Sequence, residues 1–337
     1  MTDESADGVE SGEGVENGEV VADVESAVGA TRVLGIDFSA AARSCGDNSW
    51  VATCRRTPTG LRVDRLATLS ETLGLSTSER EPTLAALVDA LADPPEPTVV
   101  GLDVPFSLPA EFLQSPETEA PALGDDSDDA GGSDAAADTS GNWARFVRET
   151  PDSWGRLEDV TDPKSLYERV RDVAETADLP RSRATDEQYG GQEPAGFRIR
   201  TQTFYGISAL LAPLVEREAV RVPPLHREPD APVTLLETYP AAVFDALPRG
   251  VREGYKGDDR TGVAARERNR AALAAAGVEL GRTDASCATA TDDALDAVAA
   301  AFAASRDAAA AVDGSYTPRE RTEGVVFDGY AGETVDD

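Results

Sequence analysis

Thr31–Phe38 reads TRVLGIDF and Thr98–Asp103 reads TVVGLD. Each is a short apolar run with an Asp one residue past a Gly, the pattern of an interior strand that carries a carboxylate at its C-terminal end. A charge at such a place is costly unless it is solvated, paired or bound to a cation. Asp37 and Asp103 therefore need one explanation between them.

Working outward from the first run, Trp50–Arg56 and Leu61–Leu69 read as two further strands joined at the turn Pro58-Thr59-Gly60, which makes an antiparallel meander of three. Ser78–Ala92 places Leu84, Leu87, Val88 and Leu91 at helical spacing before the second run. Beyond it, Glu111 to about Gly191 breaks the pattern with an Asp/Gly/Ala-rich stretch, Trp143 and Trp154, and a charged helix near Ser165–Ala177. It reads as an insertion. Gln202–Glu218 resumes as an amphipathic helix whose continuity Gly206 and Pro213 weaken. Val233–Tyr239 is a fifth strand. Helices follow at Pro240–Leu247, Val263–Ala276 and Asp292–Ala311, the last with Thr291 as N-cap. The expected fold is α/β: an RNase H-like mixed sheet, a three-strand antiparallel meander plus parallel strands, with flanking helices. It occupies residues 31–330 with an insertion at about 111–191, between a disordered acidic tail at 1–30 and a short acidic tail at 331–337.

In that architecture the first and fourth strands are neighbours, which sets Asp37 beside Asp103. The final helix opens Asp292-Asp293-Ala294-Leu295-Asp296, and Asp293 and Asp296, three residues apart, share a helical face. Mg²⁺ or Mn²⁺ takes oxygen ligands, and two such ions about 3.5–4 Å apart assist phosphodiester cleavage. Three or four converging carboxylates suit that task. Without a cation they repel, and at least one has a raised pKa. The bland reading is that Asp292, Asp293 and Asp296 merely favour the helix N-terminus, worth about 0.3–1 kcal/mol each; it is strong for Asp292 and weaker for Asp296, which lies beyond the first turn.

The phrases GIDFSAA, VVGLDVPFSLP, FRIRTQTFYGI, LLETYPAAVF, DDALDAVAAAF and EGVVFDGY, in this order between about Arg32 and Tyr330, resemble the family called domain of unknown function 429, regarded as predicted nucleases of RNase H fold. The chain looks like a haloarchaeal-type member. The resemblance implies that Asp37, Asp103, Asp293 and Asp296 are the catalytic, metal-holding acids and that Glu237, in Glu237-Thr238-Tyr239-Pro240, belongs to the same pattern. Glu237 fits a structural hydrogen-bonding role equally well.

Composition bears on partners. The net charge is −32; Thr2–Thr31 holds nine acids and no base, and Glu117–Asp138 eight acids and no base, so the remainder still carries −15. That excludes a generally basic nucleic-acid-binding surface and leaves only a local groove as an option. Arg198, Arg200 and Gln202, with Arg181 and Arg183 upstream, are the candidates to meet substrate phosphate, against the commoner role of arginines in ion pairs. Lys164 and Lys256 are the only lysines among 31 basic residues, a balance that resembles a halophile's cytoplasmic protein. Cys45, Cys54 and Cys287 match no paired spacing, no signal segment opens the chain, and no apolar stretch approaches the roughly 20 residues that span a bilayer. His226 is the only histidine, which disfavours a Ser-His-Asp triad or a His-based zinc site. The expectation is a cytoplasmic, Mg²⁺- or Mn²⁺-dependent phosphodiesterase acting on nucleic acid, DNA or RNA undetermined. The rivals are a non-catalytic interaction module and an enzyme of a small phosphorylated metabolite with 111–191 as a lid.

Overall fold

Val33, Gly35 and Asp37 leave one face of β1 (Arg32–Asp37) while Leu34 and Ile36 leave the other, as the two-residue period of a strand requires. The computed structural model describes residues 29–113, 140–149 and 151–331. The acidic stretches at 1–28, 114–139 and 332–337, and with them most of both expected tails, lie outside those residues.

β1 pairs antiparallel with β2 (Trp50–Thr57), which pairs antiparallel with β3 (Gly60–Thr68); on its other edge β1 pairs in parallel with β4 (Thr98–Asp103). After a small hairpin, β5 (Ser153–Trp154) with β6 (Leu157–Glu158), the sheet is completed by β7 (Val220–Arg221), β8 (Val233–Glu237) and β9 (Val278–Leu280). The order is β7-β8-β4-β1-β2-β3-β9, seven strands of mixed direction. Its middle five, β3-β2-β1-β4-β8, are the five strands expected, and the arrangement is consistent with an RNase H-like α/β fold. β7 and β9 are edge additions too short for a sequence period to register.

Each sheet face has its own core. On one side Leu34, Ile36, Val100 and Leu102 pack against the helix Arg80–Ala92, the helical run Arg200–Glu216 and the 140–189 segment. Trp143, Phe146 and Trp154 of that segment are fully buried there, and the Trp143 indole N–H donates to the Phe106 carbonyl at 3.0 Å. The expected helix Gln202–Glu218 is a composite. It runs α-helical over Arg200–Tyr205, π-helical over Gly206–Leu211 and α-helical again over Ala212–Glu216, and the wider turn precedes Pro213, which cannot donate to a regular ladder.

The opposite face is covered by the helix Asp292–Asp313, rich in alanine and buried continuously from Ala294 to Ala304. Alanine is the best helix former and leaves the least bulk at a contact. Gly35 and Gly101 are in register on β1 and β4, and a methyl group on either would fall 2.0 Å from the Ala297 carbonyl or 2.2 Å from the Ala300 carbonyl. Helix backbone thus lies directly on sheet backbone. Two residues on from each glycine, on the same face, stand Asp37 and Asp103. Thr291 is the N-cap residue of this helix but makes no side-chain capping bond.

A Gly35→Ala substitution is expected to cost at least ~1–3 kcal/mol, the usual cost of overpacking, because the obstacle is backbone rather than a movable side chain. Thermal unfolding measures the loss. A Tm unchanged by the added methyl would mean that helix and sheet are not in contact at this point.

Candidate metal centre

The register of the sheet makes the site. Asp37 and Asp103 are direct Cα partners at the ends of parallel β1 and β4, and Glu237 ends β8, where it pairs with Leu102, the residue before Asp103. The glycine contact seats the helix so that Asp296, with no exposed surface, meets the pair. One carboxylate oxygen each from Asp37, Asp103 and Asp296 lies within 4.8 Å of the others. Asp293 lines the same cavity but falls outside this trio, because the helix approaches through the turn that carries Asp296.

Charge in the trio is only partly offset. The Lys256 ammonium meets Asp296 Oδ2 at 2.8 Å, and the buried Tyr255 hydroxyl lies 3.4 Å from the same oxygen. Asp296 Oδ1 is buried with no hydrogen-bond partner. An orphaned buried acceptor next to two more carboxylates fits a cation, and a donor set made wholly of carboxylate oxygens fits Mg²⁺ or Mn²⁺ rather than a softer metal.

Burial pushes the Asp37 carboxyl well up, reinforced by repulsion from Asp103, Asp296 and Asp293 and opposed by Lys256. Burial likewise raises Asp103 to about 7 and Asp296 to about 6 against the pull of Lys256, and raises Asp293 with Asp292 adding to the effect. These shifts set a pH dependence. The folded protein holds protons that the unfolded chain releases near pH 4, so stability is greatest below that point and is lost as pH rises through about 6–7. In EDTA the Tm is expected to be lower at pH 8 than at pH 5, reflecting a stability loss on the order of 2 kcal/mol, and Mn²⁺ is expected to restore it at pH 8. Thermal scans at fixed salt check both; a Tm that rises from pH 5 to 8 in EDTA contradicts them.

Glu237 is engaged elsewhere. Its carboxylate takes two bonds from the Arg183 guanidinium, at 2.6 and 2.8 Å, and one from the Phe106 backbone N–H at 2.9 Å. Arg183, 1% exposed, also donates to both oxygens of Asp186, at 2.8 and 3.0 Å. The Phe106 bond holds the turn that leaves β4 just after Asp103. Glu323 secures the same region by accepting from the Ala184 and Ala110 backbone N–H groups at 2.7 and 3.1 Å.

Of the candidate phosphate contacts, Gln202 lines the cavity and donates to the Phe38 carbonyl at 2.6 Å. Arg200 stacks on Phe197, 4.4 Å from the ring centre, and Arg198 is exposed; neither reaches the cavity. Arg181 pairs with Glu193 at 3.0 Å. Arg181, Arg183 and Arg200 are engaged and Arg198 points away, so among the described residues they form no basic groove at the acids.

The cavity itself holds about 460 Å³. Residues of the inserted segment that the sequence patterns do not single out as site residues, Thr185, Asp186, Tyr189 and Gly191, line the cavity, as do Gln192, Tyr239 and Lys256. The Thr238 hydroxyl, also on the wall, is buried with no partner. The one available signal for Lys256 is the scarcity of lysine.

A family model described as protein of unknown function (DUF429) matches residues 35–321. No curated protein and no solved structure matches the chain.

Proposed function

The chain belongs to the DUF429 family, and on that premise we propose that it is a hydrolase of phosphodiester bonds dependent on Mg²⁺ or Mn²⁺, in the manner of a nuclease. The observation that carries the proposal is the convergence of Asp37, Asp103 and Asp296 with Asp296 Oδ1 unpartnered.

Asp37, Asp103 and Asp296 would hold the cation. Bound there, it would lower the pKa of water and offset negative charge on a departing oxygen. The protein's own groups do the rest. Asp293 stands on the wall, its carboxyl pKa raised by burial, where it can accept the proton that water sheds as its oxygen joins phosphorus; the departing ester oxygen takes a proton from solvent water and leaves as an alcohol, and Asp293 returns its proton to the solvent. The Glu237–Arg183 pair fixes the strand end and the turn at Phe106, and so the placement of Asp103.

Two observations favour a small substrate as the second reading. The cavity is of the size that encloses a single small ligand, and the arginines expected to track a nucleic-acid backbone are engaged or point elsewhere. A phosphorylated metabolite or a short nucleotide meets both conditions.

The test is hydrolysis in high-salt buffer with Mn²⁺, using labelled single-stranded, duplex and branched DNA and RNA beside bis(p-nitrophenyl) phosphate and small phosphodiesters. Cleavage of a polymer supports the nuclease reading; cleavage of small esters alone supports the second. No turnover of any of them, with no Mn²⁺-dependent change in Tm, overturns both and leaves the interaction module.

A further inference from the structure

Lys256 differs from the other cation on the cavity wall. Arg183 is buried and committed to Glu237 and Asp186, whereas the Lys256 side chain is 57% exposed and keeps its ammonium at Asp296. Its backbone is nonetheless held on both sides. The buried Arg266 guanidinium donates to the Tyr255 carbonyl at 2.7 Å and the Gly257 carbonyl at 2.8 Å, the residues that flank Lys256. The same guanidinium donates to the Thr289 and Ala290 carbonyls at 2.9 and 3.4 Å, just before the helix that bears Asp293 and Asp296. One buried arginine therefore sets the distance from the lysine loop to the acidic helix start. The anchor is fixed and the four-carbon stem can swing.

The choice of lysine is informative in a chain whose basic residues are otherwise arginine, apart from Lys164, which pairs with Glu168 on the surface. A guanidinium would engage both oxygens of Asp296 through its planar fork and close the cluster. The ammonium takes Oδ2 and leaves Oδ1 without a partner. It is a counter-ion that does not seal the site.

An anionic phosphate entering the cavity meets Asp37, Asp103, Asp186, Glu237 and Asp293 on the walls. Among the described wall residues, only Lys256 carries a positive charge that is not locked in a buried pair. We propose that Lys256 is a catalytic residue that exchanges partners: Asp296 holds it in the resting protein, and it takes an anionic oxygen of the substrate phosphate once a divalent cation satisfies that carboxylate. This rests on the metal-dependent reading above and assigns the group that receives the phosphate.

The test compares wild type with Lys256→Gln and Lys256→Arg by calorimetry, first titrating Mn²⁺ into metal-free protein and then inorganic phosphate into the Mn²⁺-saturated form. With a competing cation removed, Lys256→Gln is expected to bind Mn²⁺ about tenfold more tightly and phosphate at least about tenfold more weakly. Lys256→Arg is expected to bind Mn²⁺ more weakly than wild type, since the fork holds both Asp296 oxygens. These opposite shifts are not those of a scaffolding residue. Weaker Mn²⁺ binding in Lys256→Gln overturns the exchange, and tighter Mn²⁺ binding with unchanged phosphate affinity overturns the substrate contact. A wild type that binds no Mn²⁺ overturns the metal reading itself, and the exchange falls with it.

Discussion

Asp103→Asn is expected to give a protein that is more stable than wild type in the absence of metal and nearly devoid of hydrolytic activity. Burial raises the Asp103 carboxyl to about 7, with Asp296, Glu237 and Asp293 adding to the rise against the pull of Lys256, so at pH 8 folding forces a charge into a place that disfavours it. The amide keeps the shape and removes the charge. A tenfold change in a proton-binding constant is worth about 1.4 kcal/mol, and repulsion shared among the acids reduces the sum, so the gain at pH 8 in EDTA should be on the order of 2 kcal/mol. At pH 4, where the wild-type group is already protonated, the gain should vanish. Removing one of three oxygen donors should lower turnover with Mn²⁺ by at least about a hundredfold, equivalent to about 3 kcal/mol of lost transition-state stabilisation. Thermal scans at the two pH values and a turnover assay test both halves. An Asn variant less stable than wild type at pH 8 without metal would show that Asp103 serves as a structural ion-pair partner, and an active one would remove it from the reaction. The conflict between stability and chemistry is the expected mark of a functional carboxylate cluster.

The largest effect on stability is expected from Arg183→Met. The side chain sits among Glu237, Asp186 and the Glu323 carbonyl with 1% of its surface exposed. Methionine fills much of the volume but leaves two buried carboxylates unpaired, and removing one partner from such an arrangement costs about 3–5 kcal/mol. At ~2–4 °C per kcal/mol for a domain of this size, Tm should fall by roughly 10 °C. Salt should not rescue it, because buried pairs are little screened. The triple variant Arg183→Met, Asp186→Asn, Glu237→Gln should recover most of the loss, since it removes the stranded charges as well. A loss below about 1 kcal/mol for the single variant would mean that water reaches the network.

The parts of this molecule legible in the sequence are those where local pattern and tertiary role coincide. β1, β4 and β8 are buried on both faces and so read as apolar runs, and the aspartates that end the first two stand out because nothing local accounts for them. The Asp-x-x-Asp opening of the last long helix is visible for the same reason. Which of its members joins the trio is not, because that depends on how far the helix sinks onto Gly35 and Gly101. β7, β9 and the helix Arg282–Ala290 escape a reading of the sequence, the strands through their brevity and the helix through its weak apolar stripe. Glu237 is noticeable as a strand-end acid, but its partner Arg183 comes from the inserted segment, and pairing across that distance leaves no trace in spacing. The scarcity of lysine makes Lys256 conspicuous in the sequence, while its place beside Asp296 depends on Arg266 holding a loop to the start of another helix.

The helix that lies backbone to backbone on the sheet also gives the protein a schedule. Asp37 and Asp103 leave the ribosome well before Asp296 and the helix that covers them. A growing chain, which folds its earlier segments first, can pair β1 with β4 long before it owns the third carboxylate. A chain that stops short of that helix, however well its first strands assemble, lacks the carboxylate that completes the trio.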